Sequence, residues 1–455
     1  MNMSKRDKKV TLIGAGLIGS LLSTYLTKQG YEVEIYERRP DMRKDTLSAG
    51  RSINLALSER GWRGLEGVGL ADEVKKVAIA MNGRSIHHQD SAVNYQPYGK
   101  EGQAIYSVSR GGLNCVLMDQ AEKNGAKIHF QQRCTSVDLD KNIAHFEHII
   151  TGEKKSVHAD LVFSSDGAYS AGRLSLMFTD RYNYSQNYLE HGYKELTIPA
   201  NTDGSHKLDK NALHIWPRGG YMLIALPNID GSFTCTLFFP FEGDPSFEKL
   251  KTKTDVTNFF KKIFPDTVEM IPTLEEDFFA NHTGSLMTVR CFPWTWKNKL
   301  MLIGDAAHAI VPFYGQGMNC GFEDCVELNE LINNFNHDWD QIMPAFEKQR
   351  KPNSDAIADL ALANFIEMRD LVGHPDFLLR KKIEARFSER HPDKWTPLYT
   401  MVTFSEQLPY SVALKEGRKQ DVIMDKVMST PEIAEKWDAP ETEKLILEML
   451  SQKGV

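Results

Sequence analysis

Val10-Thr-Leu-Ile-Gly14-Ala-Gly16-Leu-Ile-Gly19 joins a short apolar run to a turn of spaced glycines, and Ser20 to Gln29 then reads as an apolar helix. Gly30 stops that helix, and Glu32-Val-Glu-Ile-Tyr36 alternates as a second strand. Strand, glycine turn, helix and strand in this order open a Rossmann-type α/β domain, and this decides the fold. Glycines at GxGxxG spacing allow a tight turn and let backbone N–H groups close on a pyrophosphate at a helix N-terminus, where the dipole favours negative charge. Glu37 ends the second strand 37 − 19 = 18 residues past Gly19, the place for a carboxylate that accepts ribose hydroxyls. Gly14, Gly16, Gly19 and Glu37 are thus candidate nucleotide-binding residues. Alone they leave open a nicotinamide dehydrogenase, or a binding protein that keeps the fold without the cofactor.

Two later segments narrow the reading. Asp166-Gly167-Ala-Tyr-Ser170-Ala-Gly-Arg173 follows the apolar Leu161-Val-Phe, and Leu302-Ile-Gly304-Asp305-Ala-Ala-His308 precedes Pro312-Phe-Tyr-Gly315-Gln316-Gly317-Met318-Asn319. A strand ending in Gly-Asp brings a carboxylate to a polyol chain, whose hydroxyls it can accept. The glycine-rich turn after it starts a helix whose free N–H groups can face the edge of an electron-rich ring and stabilise charge on its reduced form. A plain helix cap is the alternative for that turn taken alone. In this order the three segments describe an FAD site. His308 sits beside Gly-Asp and is read as structural.

Composition excludes several classes. The chain has 455 residues, 41% of them hydrophobic, enough for two or three domains at about 150 residues each. A net charge of 54 − 61 = −7 without a dense basic stretch argues against nucleic acid. Six cysteines (Cys115, Cys134, Cys235, Cys291, Cys320, Cys325) show no CxxC spacing, so reduced thiols of a cytoplasmic protein are expected, and no metal site. Lys5-Arg-Asp-Lys-Lys9 ahead of an apolar run imitates a signal peptide, yet no small-x-small cleavage site comes after it. No stretch reaches about 18 uninterrupted apolar residues, so no membrane span is expected.

Along the chain, residues 176–285 change character, with alternating runs such as Tyr221–Leu226 and Ser232–Phe239 that suit a mostly antiparallel sheet. From about residue 319 the spacing is helical, through Leu360, Leu362 and Phe365. The expected architecture is a discontinuous FAD-binding domain (8–75, 100–175 and 286–345), an inserted substrate-binding sheet lobe (76–99 and 176–285) and a helical C-terminal region (346–455).

The three flavin segments resemble the single-component FAD aromatic hydroxylases of the para-hydroxybenzoate hydroxylase type, from about residue 8 to 350. Further peptides, among them Gly50-Arg-Ser-Ile-Asn-Leu-Ala-Leu57, Asn94-Tyr-Gln-Pro-Tyr98-Gly, His191-Gly-Tyr-Lys-Glu195, Asn211-Ala-Leu-His-Ile-Trp-Pro217 and Met401-Val-Thr-Phe404, resemble the kynurenine-hydroxylating branch over nearly the whole chain. The resemblance implies that FAD is bound non-covalently, with Leu17, Arg38, Arg51, Leu55, Arg110, Asp305 and Met318 joining the glycines and Glu37 as contacts. It implies that Asp166 and Gly167 bear on FAD and NADPH. It assigns the L-kynurenine carboxylate to Arg84, Tyr98, Asn364 and Tyr399, and the ring slot to Leu213, Ile224, Leu226, Phe238, Pro312 and Phe313. By the same resemblance NADPH and O2 are co-substrates. L-Kynurenine would be hydroxylated to 3-hydroxy-L-kynurenine through a C4a-hydroperoxyflavin, a step of tryptophan catabolism towards pyridine nucleotides. Such chemistry requires no side-chain base. The chain departs from the pattern at Tyr314, where some members carry histidine, and a soluble form without the membrane-anchoring tail of eukaryotic members is expected. A cytoplasmic monomer or homodimer is expected. The rivals are another aromatic hydroxylase of the same flavin family, a flavin halogenase (Trp294-Thr-Trp296, though without the Ile-Pro that would complete the motif) and a non-enzymatic flavin-fold binding protein.

Overall fold

The structure, a computed structural model, describes residues 8–44, 54–99, 102–372, 374–405 and 407–452. Arg51 lies outside them, as does the first half of the 50–57 peptide. The strand Lys9–Ile13 lies inside a six-stranded sheet, parallel to Leu161–Ser164 on one side and Glu32–Tyr36 on the other. Its last four residues are all buried, the mark of a strand covered on both faces. Lys127–His129 and Leu300–Leu302 extend the sheet in parallel, and only the short edge strand Thr295–Trp296 runs antiparallel. The parallel arrangement brings the C-terminal ends Ile13, Tyr36, Ser164 and Leu302 to one edge. Each of the three glycine-bearing segments and Glu37 comes directly after one of these ends, so four separate pieces of sequence meet where open α/β sheets bind ligands.

The first helix spans Leu17–Lys28 and starts earlier than the expected Ser20, because Gly16, with extended backbone, takes the N-cap position itself. The segment Asp166–Arg173 is shaped by its own carboxylate. Asp166 accepts from Ser164 Oγ at 2.6 Å and from the Ala171 amide at 2.7 Å, which closes the turn before the helix Ala171–Leu176.

A seven-stranded sheet forms the second lobe, in the order Gly284–Phe292, Asn183–Ile198, Phe233–Pro240, Met222–Pro227, Ala212–Pro217, Gly83–His87, Val93–Pro97. All pairings are antiparallel except that between Gly83–His87 and Ala212–Pro217. Its last strand runs on to Phe292, past the expected boundary at 285, held by pairing with Asn183–Tyr193. Ala78–Met81, expected in this lobe, pairs instead with Ile105–Ser109 in a small three-stranded sheet with Asn54–Leu57. Side chains alternate between two cores: Trp216 and Phe239 pack under the helices Lys253–Ile263 and Leu274–Ala280, while Leu213, Ile215 and Phe238 face Phe313, Leu360 and Phe365. The second of these faces carries the site.

The long helix Trp339–Ile366 crosses behind that face and ends in a π-turn, Glu367–Leu371, a distortion frequent at functional sites. Pro375–Arg390, Tyr410–Met428 and Pro440–Ser451 build a small separate core around Phe387, Trp395 and Met424. Among the described residues no helix is long and apolar enough to cross a membrane.

One polar chain is buried in the lobe. His87 Nε2 meets His214 Nδ1 at 2.8 Å, His214 Nε2 meets the Asp209 carbonyl at 2.8 Å, and Asp266 accepts from Trp216 Nε1 at 2.7 Å beside His87. Burial pushes the His214 imidazole down to about 4, although the Asp209 carbonyl opposes it. The folded state therefore resists protonation that the unfolded chain accepts. The stability is fully present above about pH 6.5 and is lost as pH falls towards 4, by roughly 2–3 kcal/mol. Urea midpoints across pH 7 to 4 should fall more steeply for the wild type than for His214→Gln, and parallel profiles would rule this out.

Candidate active site

One cavity of about 570 Å³ runs from the sheet edge to the lobe. At its nucleotide end the glycines divide three tasks. Gly14 has φ +97°, a Cβ on Gly19 would stand 2.0 Å from the Gly14 carbonyl oxygen, and a Cβ on Gly16 would meet nothing within 4 Å. The first fixes the turn, the third allows helix and loop to touch, and the second leaves open space over the helix N-terminus. Neither a side-chain cap nor an acidic residue occupies that terminus. Glu37 accepts from the Ala15 amide at 2.8 Å and from the Arg39 amide at 2.8 Å, one bond per carboxylate oxygen, which leaves each a lone pair for a hydroxyl. Gly14, Gly16, Leu17, Glu37 and Arg38 line the cavity, as do Leu55, Arg110, Asp166 and Gly167, whereas Gly19 lies behind the loop.

Gly304, at φ +60°, ends its strand so that Asp305 begins a short helix with its side chain at the cavity. The second open helix terminus belongs to Gly317–Asn334, again without a side-chain cap or an acid in its first turn. Gly315, Gly317 and Met318 line the cavity beside it. Asn319 instead pins the loop, donating to the Ala56 and Gly315 carbonyls and accepting from the Ser58 amide. Gln316 is turned away and buried. Two unsatisfied helix N-termini and two carboxylates along one cavity form a donor and acceptor set that fits a pyrophosphate, a ribityl chain and the carbonyl edge of a flavin.

The lobe end is apolar and aromatic. Leu213, Ile224, Leu226, Phe238, Pro312 and Phe313 line it, and Phe313 stacks on Phe365 with centroids 4.0 Å apart. Beyond them Tyr98 stacks on Tyr399 at 5.2 Å, and Tyr314 stacks on Tyr399 at 5.6 Å. The Arg84 guanidinium lies 4.6 Å from the Tyr399 ring centroid and 5.6 Å from that of Tyr98. Glu367, on the π-turn, stands 3.9 Å from Arg84 Nη1, beyond hydrogen-bond reach. Arg84 Nε and the Tyr98 hydroxyl are both buried with no partner. Burial holds the Tyr98 phenol well above its ordinary range, and burial with the Glu367 charge does the same for Tyr314, so both are neutral donors. An unpaired buried N–H costs about 1–3 kcal/mol, more when the group is charged, and a carboxylate placed in the cavity beside Arg84 would relieve it.

Arg84 and Tyr399 thus meet at one end of the cavity, while Tyr98 stacks on Tyr399 without lining the cavity itself. Asn364 does not line it: its amide donates to the Phe313 carbonyl at 2.7 Å and so holds the slot wall. Glu367 escapes a reading of the sequence, because it sits one helical turn beyond Asn364 and carries no motif. Tyr314 stands out in sequence only as a departure from the family pattern, although its ring closes the stack.

His308 is bound away from the cavity. It donates to Asp324 at 2.6 Å, Asp324 accepts from Arg350 Nε at 2.7 Å, and Arg350 also reaches Glu323 at 2.6 Å. His308, Cys320 and Asp324 come close enough together to hold a metal ion, but the Arg350 guanidinium, 3.5 Å from Cys320 Sγ, supplies the cation. Trp294, of the Trp-x-Trp segment, is a core residue that donates to the Cys291 carbonyl.

The family described as FAD binding domain matches residues 7–361. A kynurenine 3-monooxygenase of Flavobacterium johnsoniae is 53% identical over 444 residues, 98% of this chain and 99% of that one. The kynurenine 3-monooxygenase of Dictyostelium discoideum is 43% identical over 93% of each chain. Among solved structures, tetrameric 2-methyl-3-hydroxypyridine-5-carboxylic acid oxygenase superposes with a TM-score of 0.67 at 20% identity, covering 84% of this chain and 96% of its own, a likeness of fold. Another is Pseudomonas aeruginosa PqsL in complex with 2-aminobenzoylacetate, with a TM-score of 0.63 at 18% identity, covering 80% and 97%. With its flavin cradle and this near-full-length similarity, the chain belongs to the FAD-binding-domain family and, within it, to the kynurenine 3-monooxygenases.

Proposed function

We propose that this chain hydroxylates L-kynurenine to 3-hydroxy-L-kynurenine with NADPH and O2. The observation that carries the reading is Arg84 Nε, a buried donor without a partner at the far end of an apolar slot that opens on the flavin cradle. Kynurenine is a flat amino-aryl ketone with an amino-acid tail, and the slot has an anion receptor at the depth of the tail. Glu367 beside Arg84 offers the opposite charge for the tail's ammonium group. Leu213, Phe238 and Phe313 keep the ring dry, and Asn364 fixes the Phe313 carbonyl. Bound FAD supplies hydride acceptance from NADPH and activation of O2. The residues named here bind and orient the ring and exclude water from it, and no side-chain base is assigned. Six cysteines free of disulfides suit a reducing cytoplasm, and a net charge of −7 gives no reason for a nucleic-acid partner.

NADPH oxidation measured with and without L-kynurenine, with the product identified by mass, tests the proposal. One 3-hydroxykynurenine per NADPH is expected. NADPH consumption indifferent to kynurenine, with peroxide as the sole product, would overturn it. The cradle makes a separate prediction. Asp305→Ala removes an acceptor for ribityl hydroxyls and should weaken flavin binding by about 1–3 kcal/mol. Gel filtration should strip flavin from Asp305→Ala under conditions where the wild type stays yellow, and equal retention would exclude that role.

A further inference from the structure

The loop Pro312–Gly317 has two sides. Its cavity side faces the slot and the flavin cradle, and its rear side carries Gln316, whose Oε1 accepts from the Tyr410 hydroxyl at 2.8 Å. Tyr410 begins the helix Tyr410–Met428, and its ring lies 3.9 Å from the Arg60 guanidinium. Arg60, on the helix Glu59–Glu66, donates to the Val402 carbonyl at 3.2 Å, to the Leu408 carbonyl and to Glu323. Val402 shares the helix Leu398–Thr403 with Tyr399, the centre of the aromatic stack at the carboxylate end. Glu323 is held in turn by Arg350. Arg60, Glu323, Tyr410 and Gln316 are all buried, and none of them lines the cavity.

A buried guanidinium is an expensive way to fill space, since apolar side chains of similar volume often serve stability as well or better. What this one does that an apolar residue would not is fix two backbone carbonyls and a phenol in register. Those groups belong to two places only: the segment bearing Tyr399, and the contact behind Gln316. From the front, Tyr314 already rests on Tyr399. The rear contact completes a clamp.

We propose that Arg60 and Tyr410 are positioning residues that tie the Tyr399 segment to the flavin-side loop through Gln316, so that a carboxylate bound at Arg84 and Tyr399 steadies the loop against the flavin. This rests on the kynurenine reading above for the identity of the ligand, but not for the link itself. A loop steadied further when the slot is filled makes flavin reduction responsive to substrate.

Tyr410→Phe removes one oxygen and keeps the ring under Arg60. In the flavin-loaded enzyme it should leave flavin content unchanged and kynurenine affinity within about twofold, while the acceleration of flavin reduction by kynurenine falls about five- to tenfold, the weight of one hydrogen bond. Backbone amides 312–320 should exchange hydrogen faster than in the wild type without ligand, and should gain less protection with it. Gln316→Leu cuts the same bond from the other side, so the double variant should lose no more than either single one. Additive losses, or wild-type stimulation and exchange in Tyr410→Phe, would overturn the link. A wild type that kynurenine fails to stimulate would count against the kynurenine reading, and ligand-free exchange would then decide the link alone. If Tyr410→Phe does not fold, Arg60→Lys, which keeps the charge for Glu323 but cannot span both carbonyls, must show the same exchange pattern, and unaltered exchange there overturns the proposal.

Discussion

Arg84→Ala should bind L-kynurenine about ten- to hundredfold less tightly than the wild type, the loss expected for a charge-assisted bond of roughly 1.5–3 kcal/mol in a dry slot. The geometry makes the effect large because Arg84 is the cation held over Tyr98 and Tyr399, whereas Lys381 faces Glu367 at 3.9 Å and does not line the cavity. Tyr98 offers a neutral donor only, and the neighbouring charge, Glu367, has the wrong sign for a carboxylate. Arg84→Lys keeps the charge but not the planar fork, nor the stacking of a guanidinium over two phenol rings, so it should fall between wild type and alanine. The sharpest measurement compares kynurenine with its decarboxylated amine. Wild type should favour kynurenine strongly. Arg84→Ala should lose the preference and, with Glu367 still present for an ammonium group, accept the amine at least as well as wild type does. A tail held loosely lets the ring drift from the flavin, so more peroxide should form per NADPH consumed. A variant that discriminates as sharply as wild type would reduce Arg84 to a structural residue.

Local physics made the nucleotide half of the site legible in sequence. Gly14, Gly16 and Gly19 each answer a distinct steric need, and strand periodicity ties each flavin segment to the end of a parallel strand. The first helix begins a turn earlier than Ser20, because the apolar pattern starts at Leu17 behind a glycine cap that resembles loop. The lobe half was legible only through resemblance. Arg84 reads as an ordinary polar residue on an alternating strand, and its burial arises from a sheet assembled out of distant segments: Gly83–His87 lies beside Ala212–Pro217, and the stack comes from Tyr98, Tyr314 and Tyr399. Asn364 has a contact that neither spacing nor resemblance announces, its amide donating to the Phe313 carbonyl. Arg60, Glu323, Asp324 and Arg350 gave no signal at all. Charged residues on amphipathic helices ordinarily face water, and only tertiary contact reveals that these do not.

Arg350→Met should destabilise the fold by about 3–5 kcal/mol, because it strips the shared cation from two buried carboxylates at once. Removing bulk alone would also destabilise, but it would do so equally at every pH. The ionic account predicts a pH signature. Burial alone would push Asp324 up, but His308 and Arg350 outweigh it and hold the carboxyl below the usual range. In the wild type that contribution is therefore present above the unfolded value near 3.8 and is lost as pH falls through the lower folded value. Without Arg350 the burial effect gains ground and the folded carboxyl is easier to protonate. Protonation then relieves the variant, and its deficit against wild type should be greatest near neutrality and shrink as pH falls towards 4. Urea midpoints tracked by tryptophan fluorescence in both proteins, at several pH values, give the comparison. A deficit of constant size across that range would assign Arg350 to packing. A deficit that narrows with acid would show that the fold behind the flavin is held by charge, through the same Asp324 that fixes the Gly304 amide at 3.2 Å and His308 at 2.6 Å.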